Sequence, residues 1–547
     1  MAISRGRWLL AASWLLAPVV LQDPTPAPLG PGPAWRGPVR PVGQNEVFAT
    51  ADGCAMCHSA ATRSTAMRSA IGDDVSPHGL WQASVMANSF RDPYWRATVA
   101  KEVALDPERA DEVQALCLRC HAPMVHHSRR IAGQEPTTVA AAAAEPLAQD
   151  GVSCTVCHQI RAEGLGTPTT FDGKGKIGRE RQIFGPYADP AGAPMRMHSG
   201  YTPTHGAHVR DSALCATCHT LHTSHQGERF PEQTPYLEWR NSEFTTEPAA
   251  TATSRSCQQC HMAELAPTRI ARNPAGRDFL IPVRPDYRGH TFVGGNAFLL
   301  DLLARHRDEL GVPASASALA QNAMASRKLL AEQTVALSIG EVVRQDGELR
   351  FAVRVENLTG HKFPTGYPAR RAWLQLQVRA GDRVVFESGG YTTAGDLVDV
   401  AEPLQQGHVT AITSPGDVLV YELIALDGEG APTTHLSQMA RRGKDNRLLP
   451  RGWRRDGPHA EDTAPVGIGT DIDFTAGGDS VDVTIPFAAG SPRATVVAWV
   501  RYQAIPPHWV AALRAVDAPE CRQFVTMYDA ADKTPETVAV TQRLETR

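Results

Sequence analysis

Five copies of one short pattern constrain this chain more than anything else in it: Cys54-Ala-Met-Cys57-His58, Cys117-Leu-Arg-Cys120-His121, Cys154-Thr-Val-Cys157-His158, Cys215-Ala-Thr-Cys218-His219 and Cys257-Gln-Gln-Cys260-His261. Cys-x-x-Cys-His is the attachment signal for c-type haem. Two thiols three residues apart reach the two vinyl groups of one porphyrin, and the adjacent His is held under the iron as its proximal ligand. The repeats use ten of the eleven cysteines and leave only Cys521 outside the pattern. Structural zinc ribbons are the competing reading, because Cys-x-x-Cys pairs also clamp zinc. Zinc, however, has no need of a His after every second Cys. Five covalently bound c-type haems are therefore the expected cofactors, with His58, His121, His158, His219 and His261 as proximal iron ligands. With 45 Gly and 41 Pro, the chain is expected to be loop-rich, its buried apolar volume supplied largely by porphyrin.

A chain of 547 residues has room for two or more domains. A net charge of -4 gives no reason to expect nucleic acid as a partner. Arg5 and Arg7 precede an apolar stretch from Trp8 to Leu21, interrupted only by Ser13 and Pro18. That is a Sec-type export signal over 1–21, shorter than the roughly 18 apolar residues a membrane span wants. An uncleaved N-terminal anchor stays open as the alternative. The expected location is the periplasm or another exported compartment, where c-type haem is attached. Residues 22–45, with Pro24, Pro26, Pro28, Pro31, Pro33, Pro38 and Pro41, read as an extended tether.

Beyond the tether, 46–295 reads as a pentahaem domain, 296–332 as a helical connector and 333–547 as a β-sandwich-like domain. Helices are expected over 106–118 and 139–145, and at 297–310 and 318–330 from apolar spacing. After Glu332 the period changes to two, through 335–339, 349–355, 374–378, 384–386, 419–423, 481–485 and 496–502. The fold class is α + β multidomain: a loop-rich, mainly helical part followed by an antiparallel β-sandwich-like part.

Of 20 histidines, fifteen remain as candidates for at most five distal iron positions. His78 sits in a turn opening a helix, His208 in a Gly- and His-rich loop seven residues before Cys215, and His290 beside Gly289, Gly294 and Gly295. His126 and His127 follow the second motif closely. His361 lies in the rigid loop Gly360-His361-Lys362-Phe363-Pro364, where a ring reaching the haems and a plain turn histidine are equally good readings. His198, His205, His222 and His225 read as solvated loop residues, and Met86, Met124 and Met262 as core filler. Cys521 reads as a buried hydrophobe, and Asp445-Asn446-Arg447 as a turn rather than a cation site.

The phrases Pro77-His78-Gly79-Leu80-Trp81, Gly151-Val152-Ser153-Cys154 and His290-Thr291-Phe292-Val293-Gly294-Gly295-Asn296 resemble exported multihaem c-type cytochromes, the group containing the tetrahaem cytochrome of nitrifying bacteria. Gly360-His361-Lys362-Phe363-Pro364-Thr365-Gly366, Arg370-Arg371-Ala372-Trp373 and Lys444-Asp445-Asn446-Arg447-Leu448-Leu449-Pro450 resemble a β domain often fused to them. The resemblance implies electron transfer between redox partner proteins through closely spaced, mostly bis-His haems. The alternative is a multihaem reductase of a small nitrogen or sulfur oxyanion with one open iron. Against it, pentahaem nitrite reductases commonly place Lys after the paired cysteines of the catalytic motif, and all five motifs here end in His. In a third reading the β part is a docking module. Oligomeric state is left open.

Overall fold

The computed structural model describes residues 43–225 and 227–546. The expected export signal over 1–21 and nearly all of the expected tether lie outside the described residues.

The first half is built from short helices, and the local sequence says why they start and stop. Pro93 opens Pro93–Leu105, and the Asp92 carboxylate caps it by accepting from the amides of Tyr94 and Trp95. Ser76 caps Pro77–Trp81 through the Gly79 amide. Ser256 and Gln259 cap Cys257–His261 reciprocally. Gly133, at φ 67°, ends Pro123–Ala132 in the left-handed conformation. Four motifs ride on helices, Ala51–His58, Ala110–His121, Cys154–Cys157 and Cys257–His261, while Cys215–His219 runs off the end of Ser212–Ala216.

Three expected helices are trimmed. Pro107 opens a 3-10 turn, so the α-helix starts only at Ala110. The alanine run gives only Val139–Ala142, because Pro146 opens a new turn. The helix expected over 297–310 ends at Arg305 and runs on as turns. Helix Ala316–Gln333 stands where apolar spacing places it.

From Val335 the chain forms two five-stranded sheets. One orders Ala411–Ile412, Gly478–Pro486, Glu348–Asn357 and Val335–Ile339, with Val343–Gln345 also on Glu348–Asn357. The other orders Val420–Tyr421, Arg371–Ala380, Ala494–Gln503 and Glu536–Leu544, with Arg383–Ser388 also on Arg371–Ala380. Pairing in both is antiparallel except between Ala411–Ile412 and Gly478–Pro486. Alternate residues point inward, so Leu349, Phe351, Val353 and Val355 meet Leu374, Leu376, Val496 and Val500 in one core. That core crosses the boundary expected at 333. It takes in Leu299, Leu303 and Leu319 from the connecting helices, and Tyr94 and Ala97 from the first half. Helix Pro519–Asp529 packs on Pro93–Leu105, where the Tyr94 and Phe524 rings lie 5.1 Å apart and the Cys521 thiol donates to the Ala97 carbonyl at 3.3 Å.

Candidate functional site

One connected cavity of about 1480 Å³, well above the usual size of a small-molecule pocket, runs through the first half and is walled in part by the strand-rich half. All ten motif cysteines line it, together with His58, His121, His158, His219 and His261. Segments far apart in sequence wall it, from Pro77–Met86 through Tyr287–Asn296 to Leu358–Tyr367.

Four of the five motif histidines are aimed by backbone partners. His58 Nδ1 lies 2.7 Å from the Ile270 carbonyl, His121 Nδ1 3.0 Å from Ser89, His158 Nδ1 2.6 Å from Phe184 and His261 Nδ1 2.7 Å from Val293. A carbonyl only accepts, so the proton sits on Nδ1 and Nε2 keeps its lone pair for a metal. Burial lowers these imidazoles, His121 to about 4, and keeps them neutral. The His121 ring also lies parallel to Trp95, 4.4 Å between centres.

Two further histidines share this geometry. His290 Nδ1 lies 3.1 Å from the Arg288 carbonyl, and His361 Nδ1 2.9 Å from that of Lys362. The rings of His158 and His290 are 6.3 Å apart and 23° from parallel, and those of His261 and His361 are 6.2 Å apart and 11° from parallel. A metal–imidazole bond is about 2 Å long and a ring nitrogen lies about 1.1 Å from its ring centre, so one ion between two rings sets their centres about 6.2 Å apart. Both pairs fit an iron between them. The donors, the cavity and the thiols thus fit covalently attached haem.

The other candidates are placed differently. His78 is buried in the cavity wall, in the short helix Pro77–Trp81. His208 is not among the cavity-lining residues; its Nε2 lies 2.9 Å from the Ile160 carbonyl and its ring packs edge-on against Phe184. His126 and His127 also lie off the lining, their rings packed edge to face at 5.2 Å on helix Pro123–Ala132. His198, read from sequence as solvated, is exposed at the cavity's edge, whereas His222, read the same way, is half-buried and lines it. His222 is held between Asp172 and Asp462, with Nε2 3.3 Å from Asp462.

The loop of His361 is clamped across the two halves. Glu238, fully buried in helix Pro235–Arg240, accepts from the Lys362 amide at 3.0 Å and from the Thr365 hydroxyl. A Cβ on Gly360 would come within 3.1 Å of Trp239, so glycine lets the loop lie against that ring without displacing it. Behind it, Lys362 and Asp445 form an ion pair of 2.6 Å, both side chains fully buried, and Arg447 and Arg442 add bonds to the same carboxylate. Asp445-Asn446-Arg447 is thus part of a buried charge network rather than a simple turn. Its Asp445 carboxyl is depressed: burial alone would raise it, but Arg447 and Lys362 outweigh that.

Thiols of different motifs stand side by side: Cys54 with Cys154, Cys120 with Cys218, and Cys215 with Cys257, while Cys157 lies near Cys218. Spatial order therefore departs from chain order.

Beside the second motif are groups that no local pattern signals, because they arrive from distant segments. Glu232 lines the cavity near Cys117 at 4 % exposure, with Gln233 its hydrogen-bond partner at 3.4 Å. Burial pushes its carboxyl up to about 7. Tyr94, Glu102, Asp172 and Tyr367 line the cavity as well.

No family model and no curated protein matches the chain. Among solved structures, a penta-heme cytochrome c552 from Thermochromatium tepidum is similar, at 17% identity and a TM-score of 0.49, over 92% of this chain and 100% of that one.

Proposed function

We propose that the protein is an exported multihaem c-type cytochrome that holds five haems and passes electrons between redox partner proteins. The observation that carries this reading is the pair of imidazole couples, His158 with His290 and His261 with His361, set at single-ion spacing inside a cavity lined by all ten motif cysteines. The ten motif cysteines would form the thioethers, and the five motif histidines, with His290 opposite His158 and His361 opposite His261, would hold the irons. His78 is the remaining candidate in the described cavity wall with a buried ring. Each haem supplies reversible one-electron exchange at its iron. An iron with imidazole on both sides is saturated, which suits transfer rather than substrate binding.

The thiol contacts order the route. The first motif adjoins the third, the third adjoins the fourth, and the fourth adjoins both the second and the fifth. Electrons would enter at one end of this branched chain and leave at another. His361 gives the strand-rich half a direct part in it, closing the fifth site from across the interface.

Intact mass of matured protein tests the haem count, and an increment below five haems refutes it. Low-temperature electron paramagnetic resonance of oxidised native protein and of His361→Ala tests the ligation. One haem of the five should turn high-spin in the variant with haem content unchanged; an unchanged low-spin spectrum would make His361 a turn residue only.

A second reading, reduction of a small oxyanion, is favoured by one feature. The haem at Cys117 and Cys120 would stand beside Glu232, a buried carboxyl poised near neutrality and suited to deliver a proton. A substantial high-spin signal in the native protein, altered by nitrite or sulfite, would move the conclusion to this reading.

A further inference from the structure

Electron transfer makes no use of a group of acids at one edge of the strand-rich half. Asp471 and Asp473 lie in the loop before strand Gly478–Pro486, and Asp479 lies in that strand. The Asp471 and Asp479 carboxylates approach within 4.8 Å, with His408 beside them. Asp473 is close enough to Asp471 for the two carboxyls to share a hydrogen bond. Asp479 is 1 % exposed; its Oδ2 accepts from the Tyr421 hydroxyl at 2.9 Å, while its Oδ1 is buried with no hydrogen-bond partner. Among the described residues no Lys or Arg forms an ion pair with any of the three, and the single pair is Asp471 with His408 Nε2 at 2.8 Å.

Two converging carboxylates with a third beside them, and no Lys or Arg partner among the described residues, need either protons or a cation. We propose that Asp471, Asp473 and Asp479 bind one hard divalent cation, calcium, at this edge of the strand-rich half. The loop suits it. Asp471 Oδ1 already accepts from the amides of Asp473 and Phe474, which folds the loop back on Asp471 and keeps Asp473 beside it. Asp473, exposed at the loop, leaves the far side open for water, as calcium prefers.

The choice of a hard ion over zinc follows from His408. Its Nδ1 lies 2.9 Å from Asn446 Nδ2. Asn446 is fixed in orientation, because its Oδ1 accepts from the Glu422 amide and its Nδ2 donates to the Val420 carbonyl. The Asn446 amide is therefore the donor to Nδ1, which puts the His408 proton on Nε2, where it donates to Asp471. A protonated nitrogen is no ligand, so the set is oxygen only, and oxygen-only sets select calcium or magnesium over zinc. His408 acts as the donor that orients Asp471. In the cation-free state, burial and the neighbouring acids push Asp479 up to about 7.

The test uses the haem-loaded full-length protein, dialysed against EGTA and then titrated with calcium chloride by calorimetry, with elemental analysis for calcium per iron. One calcium per chain is expected, with a rise in melting temperature. Asp479→Asn should abolish binding, and Asp473→Asn should weaken it at least tenfold while leaving the haem spectrum unchanged. The Asp473 change, at an exposed loop, keeps the test valid if Asp479→Asn fails to fold. The proposal is overturned if native protein takes up no calcium, if both variants bind it as the native protein does, or if zinc binds there and is lost in His408→Gln.

Discussion

In the strand-rich half, Val353, Leu374, Val483 and Val496 interdigitate between two sheets; in the motif-bearing half, the corresponding interior is a cavity walled by cysteine and histidine. Apolar side chains in the first half do gather around Phe48, Phe90, Trp95 and Leu118, but beside the cavity rather than in place of it. At about 1.5–3 kcal/mol for each buried large apolar side chain, the strands carry their own stabilisation, whereas the short helices rely on what fills the space between them. One half has its core written into side chains. The other has only the attachment points written in.

The sharpest way to break that contrast is to withhold the porphyrins. Protein made without haem attachment should lose the helices of 51–261 and be cut there by trypsin, while the sheets of 335–544 resist. Equal protection of both halves would show that the first half folds by itself.

A smaller effect is expected where the halves meet. Glu102 accepts from the amides of Leu436 and Ser437 at 3.0 Å and pairs with Lys101 and His435. Burial alone would raise its carboxyl, but the His435 hydrogen bond, Lys101 and the Ser437 amide outweigh it and bring it down to about 2. A depressed carboxyl contributes stability above its unfolded value, about 4.3, and loses it as pH falls toward the folded value. Glu102→Gln should therefore cost about 3 kcal/mol at pH 7, and the two proteins should converge near pH 2 in denaturant titrations. A constant difference across that range would assign the loss to packing. The smallest effect belongs to Cys521→Ala, about 1–2 kcal/mol, for a small buried side chain at the contact of helix Pro519–Asp529 with helix Pro93–Leu105.

Legibility in the sequence followed the same division. The fifteen motif residues were legible because each group of two thiols and one imidazole lies within five consecutive residues, and the structure brings all fifteen to one cavity. Strands such as Glu348–Asn357 and Ala494–Gln503 were legible because one face is buried and the other wet. Strand Glu536–Leu544 was not. It lies at the end of its sheet, and of its nine residues only Val538 is buried, while Val540 and Leu544 are exposed. With Ala539 between the two valines and Thr541, Gln542 and Arg543 after them, its apolar alternation is too short to stand out. Among the candidate second histidines, the sequence named His290 and His361, whose rings stand opposite motif rings, together with His208, whose Nε2 lies beside the Ile160 carbonyl. Which motif each ring faces depends on contacts between segments far apart in the chain, and no local pattern carries that. Glu238 is the clearest case, an unremarked acid in Pro235–Arg240 that turns out to seat the loop of His361.

The clamp on that loop also sets an order of events. His361 enters the chain long after His261, and it reaches its place only when Glu238 has taken the Lys362 amide and Lys362 has found Asp445. On the proposed reading, the fifth motif would be made well before the loop of His361 can fold, and its site would stand open until then. Cofactor maturation and folding of the C-terminal half would then be one process, completed when Lys362 meets Asp445.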